Sequence, residues 1–314
     1  MMKAESKNWG WGKVVRFAAT RIISLYAIIA LACIIFLDVR ELYHATMSTT
    51  LNRLIPDYTY FNKFIENGGR FVSSKADLAE HLLYYRYLEQ YIPENLEVQD
   101  LLGFVYYHSG QTRAAIAAYE KAARLKPVFF WSHYNLGLLY VLNGRPAEAL
   151  AQLDIALTAD LQDNLNTVSM SRVYFPMLVV DDSLPLRVKD RLKRGGHDAF
   201  SLVMLILQQL GDYEGLFRKA NDAIVHGLDN DGRFYYYSGL AASRINRLEE
   251  AIGMLNEGIK KFSDCGDLYL LLAHIYREQG QEERALILEK FASGISPVKK
   301  IFFPSIYDFE LRIF

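Results

Sequence analysis

The sequence predicts an all-α solenoid of stacked helix-turn-helix repeats with one membrane-spanning helix ahead of it. Three observations carry that expectation. A helix-turn-helix pattern returns about every 34 residues, and a fixed period of roughly 20–50 residues marks a stacked-repeat architecture. Apolar residues recur at spacings of three and four, with almost none of the strict alternation that strands require. A single long apolar run, broken only by Arg21, stands near the start of the 314-residue chain.

That run is Phe17 to Leu37, FAATRIISLYAIIALACIIFL. Its uncharged part, Ile22 to Leu37, is slightly short for the roughly 20 residues a spanning helix needs. Phe17 to Arg21 restores the length, because Arg21 can extend its guanidinium to the headgroups. Trp9, Trp11 and Tyr43 flank the run as interfacial anchors would. Lys3, Lys7, Lys13 and Arg16 precede it, so the positive-inside rule places the N-terminus in the cytoplasm and the repeats outside, in the periplasm of a Gram-negative cell. Ala30-Leu31-Ala32-Cys33 faintly resembles a cleavage site, but the apolar run continues through Ile34 to Leu37, which favours an uncleaved anchor.

The repeats are clearest in 96–129, 130–163, 232–265 and 266–297, and degenerate in 62–95, 164–196 and 197–231. In the best repeat, Trp131 and Tyr134-Asn135-Leu136-Gly137 open the first helix, followed by Tyr140 and by Gly144 in the turn. Ala149, Leu153 and Ala156 then line the second helix. The same register holds Gly103, Tyr106, Gly110, Ala115 and Tyr119 before it, and Ala273, Tyr276, Gly280, Ala285 and Ala292 near the end. Gly239, Asn246, Ala251 and Leu255 supply another copy. A small residue early in the first helix lets the paired helices approach closely. A Gly, or Asn246 as the best substitute, takes the positive φ that ends that helix.

These residues resemble the tetratricopeptide-repeat family, over roughly Asn62 to Pro297, and suggest a membrane-anchored member. The resemblance implies a right-handed superhelix of helical pairs whose inner face, built from the first helices, binds a protein partner. Carried over by register, inner-face candidates are Asp100, Phe104, Tyr107 and His108; Trp131, Tyr134, Asn135, Leu138 and Val141; Arg233, Tyr236, Leu240 and Arg244; and Leu270, His274 and Arg277. This face is aromatic in its first half and more basic in its second, which suits an extended or helical peptide with apolar anchors. The family's lysines that clamp a C-terminal carboxylate have no counterpart here, and only Asn135 fits that mode.

The domain plan is therefore a cytoplasmic segment at 1–16, a membrane helix at 17–37, a linker or first helix at 38–61, the solenoid at 62–297 and an apolar tail at 298–314. The tail, IFFPSIYDFELRIF from Ile301, either covers the last repeat, as solenoid ends require, or inserts into a partner or a neighbouring copy. That second option is a route to self-association.

Composition excludes several functions. A net charge of −1 gives no bulk affinity for nucleic acid. The basic run Arg187 to Arg194 reads as a solvated helix face, or as a contact for an acidic partner or a membrane surface. Asp229-Asn230-Asp231-Gly232 has turn chemistry, but Ser238 stands where a calcium loop needs Glu. The histidines are scattered and no metal helix, phosphate loop or nucleophile elbow is present, so no metal, cofactor or catalysis is expected. The leading expectation is a membrane-anchored adaptor that recruits a protein partner to an envelope complex. The alternatives are a constitutive subunit of a large membrane complex, an accessory of a secretion or polysaccharide-export enzyme, and an inverted topology with the solenoid in the cytosol.

Overall fold

The computed structural model describes residues 75–91, 93–170, 184–228, 232–295 and 300–312. All of them belong to one of the chain's two compact units, Phe61–Phe314. The expected membrane run and the segments 1–16 and 38–61 lie outside the described residues. Among the described residues, no helix is long and apolar enough to cross a membrane.

Among the described residues, twelve α-helices follow one another: α1 Lys75–Tyr91, α2 Leu96–His108, α3 Thr112–Leu125, α4 Phe130–Leu142, α5 Pro146–Leu157, α6 Leu161–Met170, α7 Leu184–Leu210, α8 Tyr213–Val225, α9 Arg233–Arg244, α10 Leu248–Lys261, α11 Gly266–Glu278 and α12 Glu282–Gly294. Contact is densest within the pairs α2–α3, α4–α5, α9–α10 and α11–α12 and between α8 and α9. The architecture is the helical-pair solenoid the period predicts.

The first helices of the pairs are buried nearly all round, and the second helices only along a stripe. Every residue of α4 from Phe130 to Tyr140 is buried, whereas α5 buries just Ala149, Leu153 and Ala156. A helix wedged between neighbours must be apolar on most sides, while one on the rim can keep a polar face.

Each pair turns on the same backbone device. Gly110, Gly144, Gly211 and Gly280 have φ of 71–76°, and Asn246, the non-Gly residue in this position, has φ 61°. The residue after each donates its N–H five residues back: Gln111 to Tyr106, Arg145 to Tyr140, Asp212 to Leu207, Arg247 to Ala242 and Gln281 to Tyr276, at 2.8–3.0 Å. This is a Schellman closure, which satisfies carbonyls that the ended helix would otherwise leave unpaired.

Close approach within pairs explains the small residues of the first helices. A Cβ added at Gly137 would lie 2.8 Å from Leu153 Cγ, and one at Gly239 would lie 2.6 Å from Leu255 Cγ.

The weak middle of the sequence folds differently from the rest. The boundary drawn between 196 and 197 falls inside α7, an uninterrupted helix of 27 residues. Helix α7 packs on both α4 and α5, so the α7–α8 pair follows α4–α5 directly in the stack. Helix α6 lies beside α7. Its Asn164 accepts the Phe130 N–H at 3.0 Å and so satisfies an orphan donor at the start of α4. Gly195 survives inside α7 because it faces Phe130, whose ring carbon would sit 2.5 Å from an added Cβ.

Successive first helices are also joined by buried polar links. Ser132 of α4 donates to Asp100 Oδ1 of α2 at 2.7 Å. Arg233 of α9 donates to Ser201 Oγ of α7 at 3.0 Å. Burial pushes the Asp100 carboxyl up to about 8, with Glu97 adding to the shift and the Ser132 hydroxyl opposing it.

Two outcomes test this packing. Gly137→Ala forces Leu153 aside and is expected to lower unfolding free energy by roughly 1–3 kcal/mol. Gly253→Ala in α10, where an added Cβ meets nothing within 4 Å, is expected to raise it by about 0.5–1 kcal/mol. Urea titration of both variants checks the contrast.

A further outcome concerns pH. Native Asp100 keeps its proton up to about pH 8, while the unfolded chain loses it near 3.8, so this group makes stability fall as pH rises across that window. Burial lowers His108 to about 4 and also lowers His133, and these groups act in the opposite direction below about 6.5. Among these groups, Asp100 therefore governs the change above 6.5. Stability measured between pH 6.5 and 8 should fall in the wild type and run flatter in Asp100→Asn.

Candidate functional site

Four successive first helices, α4, α7, α9 and α11, meet the segment 300–312, which runs back across them from the last pair toward the second. At one end, Asp267 of α11 accepts the Ile301 N–H at 2.6 Å. Ile301 is buried among Tyr235, Leu268, Leu271, Leu272 and Ile275. Phe303 then packs on Tyr236 and Tyr237 of α9, with ring centroids 4.9 and 5.7 Å apart. Ser305 and Asp308 close a single 3-10 turn, Ile306–Asp308, through a reciprocal capping box.

At the other end, the Asn135 carboxamide of α4 holds the backbone of Arg312 on both sides. It donates to the Arg312 carbonyl and accepts the Arg312 N–H, each at 2.7 Å. Arg312 also forms an ion pair with Asp198 of α7. Leu311 is buried beside this clamp.

A pair of hydrogen bonds to main-chain atoms reads an extended backbone whatever its side chains; Asp198 and the apolar contacts select among sequences. Burial pushes the Tyr134 hydroxyl up, Asp198 and Glu310 add to the shift, and Arg312 opposes it, so Tyr134 sits beside the clamp as a neutral phenol. Between the segment and the helices remains a cavity of about 190 Å³, walled by His197, Asp198 and Arg233 on one side and by Pro304, Asp308 and Arg312 among others on the tail side. Burial of Ile301, Pro304 and Leu311 stabilises the docked segment, and the entropy of ordering its chain opposes it.

The sequence-derived candidates fall into three groups. Asn135 and Tyr236 contact the segment directly, and Arg233 lines the cavity. Phe104, Trp131, Tyr134 and Leu138 are 0–2 % exposed and lie in the core rather than on an open face. Large apolar side chains at these positions are desolvated where the first helices crowd together: Trp131 packs on Phe129 and Phe130, and Phe104 on His108. Tyr107 and His108 are half-buried at the end of α2, with ring centroids 5.2 Å apart.

The third group is open to solvent. Arg244, Leu270, His274 and Arg277 are exposed. His274 pairs with Glu278 at 3.2 Å. Arg277 is engaged by Glu282 and Glu289 of α12, at 3.1 and 2.8 Å.

Asp198 and Asp267 were missed, although the register contains them. Each stands six residues before the position equivalent to Gly137, as Trp131 and Arg233 do. Carrying that offset through the degenerate repeat would have found Asp198. Among the described residues, no group of three or more His, Cys, Asp or Glu could hold a metal ion.

Two family models match the chain: one described as TPR repeat at residues 103–144, and one described as tetratricopeptide repeat at residues 236–293. No curated protein matches it. Solved structures similar to it include YrrB, a TPR protein with an unusual peptide-binding site, at 17% identity and TM-score 0.46, covering 68% of this chain and 92% of that one. MamA is similar at 17% identity and TM-score 0.43, covering 61% and 92%. Residues 1–338 of Acl4, an assembly chaperone of RpL4, are similar at 13% identity and TM-score 0.45, covering 76% and 94%. The positive-φ turns, the glycines at helix crossings and two separate family matches agree: residues 103–144 and 236–293 match tetratricopeptide-repeat models within a solenoid of helical pairs.

Proposed function

We propose that this solenoid is an interaction scaffold whose inner groove takes an extended segment of a protein partner. The observation that supports the reading most directly is the Asn135 carboxamide, which forms two hydrogen bonds to one residue's main chain. Asp198 and Asp267, on α7 and α11, add fixed acceptors along the same path. Such a surface suits recognition of a peptide main chain. The matched families are repeat families, and no catalytic family is indicated.

The scaffold is proposed to be held at a membrane by Phe17 to Leu37, with the repeats on the extracytoplasmic side, and to recruit its partner to an envelope complex. The flanking charges and the length of the apolar run support this part of the reading.

A second reading, a constitutive subunit of a large membrane complex, is supported by the last helix. Leu286, Ile287 and Phe291 of α12 are 55%, 57% and 63% exposed, and a patch of that kind fits a permanent contact better than a transient one.

Capture from detergent-solubilised native membranes separates the two. Asn135→Ala with Tyr236→Ala is expected to cut partner recovery at least tenfold at unchanged helicity, while Leu286→Ser with Phe291→Ser leaves it intact. The reverse pattern would establish the subunit reading. For topology, a reporter enzyme active only outside the cytoplasm, fused after Phe314, is expected to be active; activity from a cytoplasm-only reporter instead would invert the orientation.

A further inference from the structure

The groove is not open. The segment 300–312 already occupies the positions a partner would use. We propose that this segment is a built-in competitor: it closes the groove in cis, and a partner binds by displacing it with an extended segment of like chemistry. The proposal rests on reading the groove as a peptide site, and it specifies that site's regulation and its ligand.

Four features point the same way. The contacts are those of a ligand rather than of a core element, with main-chain hydrogen bonds from Asn135 and Asp267 at the two ends and isolated side chains anchored between them. Its exposure is divided as in a bound peptide: Ile301, Pro304 and Leu311 are buried, while Phe302 and Tyr307 are 61% and 84% exposed. The segment and the helices also leave between them a cleft of about 190 Å³ that is partly open to solvent. Finally, the ion pair at the far end is half in solvent, with side chains 43% and 26% exposed, so solvent can compete for it.

These contacts also define the partner segment. It runs in an extended conformation with a bulky apolar residue for the Ile301 site and a proline or similar compact residue for the Pro304 site. A second apolar residue fills the Leu311 site, and a cation follows it to meet Asp198. An acidic residue at that last position would face the Asp198 carboxylate and be rejected.

The test uses the full chain in detergent and a fluorescein-labelled peptide of residues 300–312, followed by anisotropy. Arg312→Glu sets two carboxylates against each other and should release the segment without touching the groove. Ile301→Asp provides an independent release at the other end. Both variants are expected to bind the peptide at least tenfold more tightly than wild type. Adding Asp198→Arg to Arg312→Glu should restore the ion pair in reversed order and return binding to the wild-type level. Adding Asn135→Ala to Arg312→Glu should abolish binding. Equal peptide affinity in wild type and both release variants would overturn the competitor while leaving the groove a peptide site. No binding by any chain would overturn both readings.

Discussion

A pair of helices of this size cannot bury its own apolar face, and everything else in the structure answers that constraint. The exposed side of one pair is satisfied only by the next. Stacking works because five turns close at one residue of positive φ, so successive pairs leave the turn in comparable directions. It also works because Gly137 and Gly239 let paired helices come within side-chain contact of each other's backbone. The first helices carry the cost of being enclosed, which is why α4 is buried from Phe130 to Tyr140 and why several of its polar side chains are matched to partners. Ser132 meets Asp100 on the preceding first helix, His133 meets Gln152 on its own partner helix, and Asn135 meets the returning segment.

The same constraint creates the site. First helices set side by side form a continuous inner face, and main-chain recognition requires only that a few amide or carboxylate groups stand at regular intervals along it. Asn135, Asp198 and Asp267 lie on three different helices and are all reached by a dozen residues of chain. Specificity then rests on small terms: one ion pair partly in solvent and a few anchored side chains. Contacts of that kind suit a surface that exchanges occupants better than one that holds a single occupant permanently.

Much of the fold was legible in the sequence because its determinants are local. Gly110, Gly144, Gly280 and Asn246 each announce a turn without reference to distant residues, and all four adopt the positive φ expected of them. The middle was less legible because a glycine pair has two meanings. Gly195-Gly196 reads as a break between repeats, yet it lies inside α7, where Gly195 provides room for Phe130 of α4. Only the tertiary neighbour tells the difference. The site was legible in part. Register found Asn135, Tyr236 and Arg233, but it also selected Phe104 and Trp131, which crowding drives into the core. The path of the last segment was illegible: its apolar residues have no period, and the residue that clamps Arg312 is 177 positions away.

Helix α7 has a consequence for how the stack moves. A chain of helical pairs joined by short turns behaves like a row of hinged plates, each joint free to flex a little and to open on its own. At α7 one hinge is missing, since a single rod of 27 residues replaces a turn and lies against both helices of the pair before it. The joint between the Asn135 helix and the Asp198 helix is therefore braced. The two groups that grip Arg312 stand on helices packed directly against each other, and that end of the groove serves as its datum.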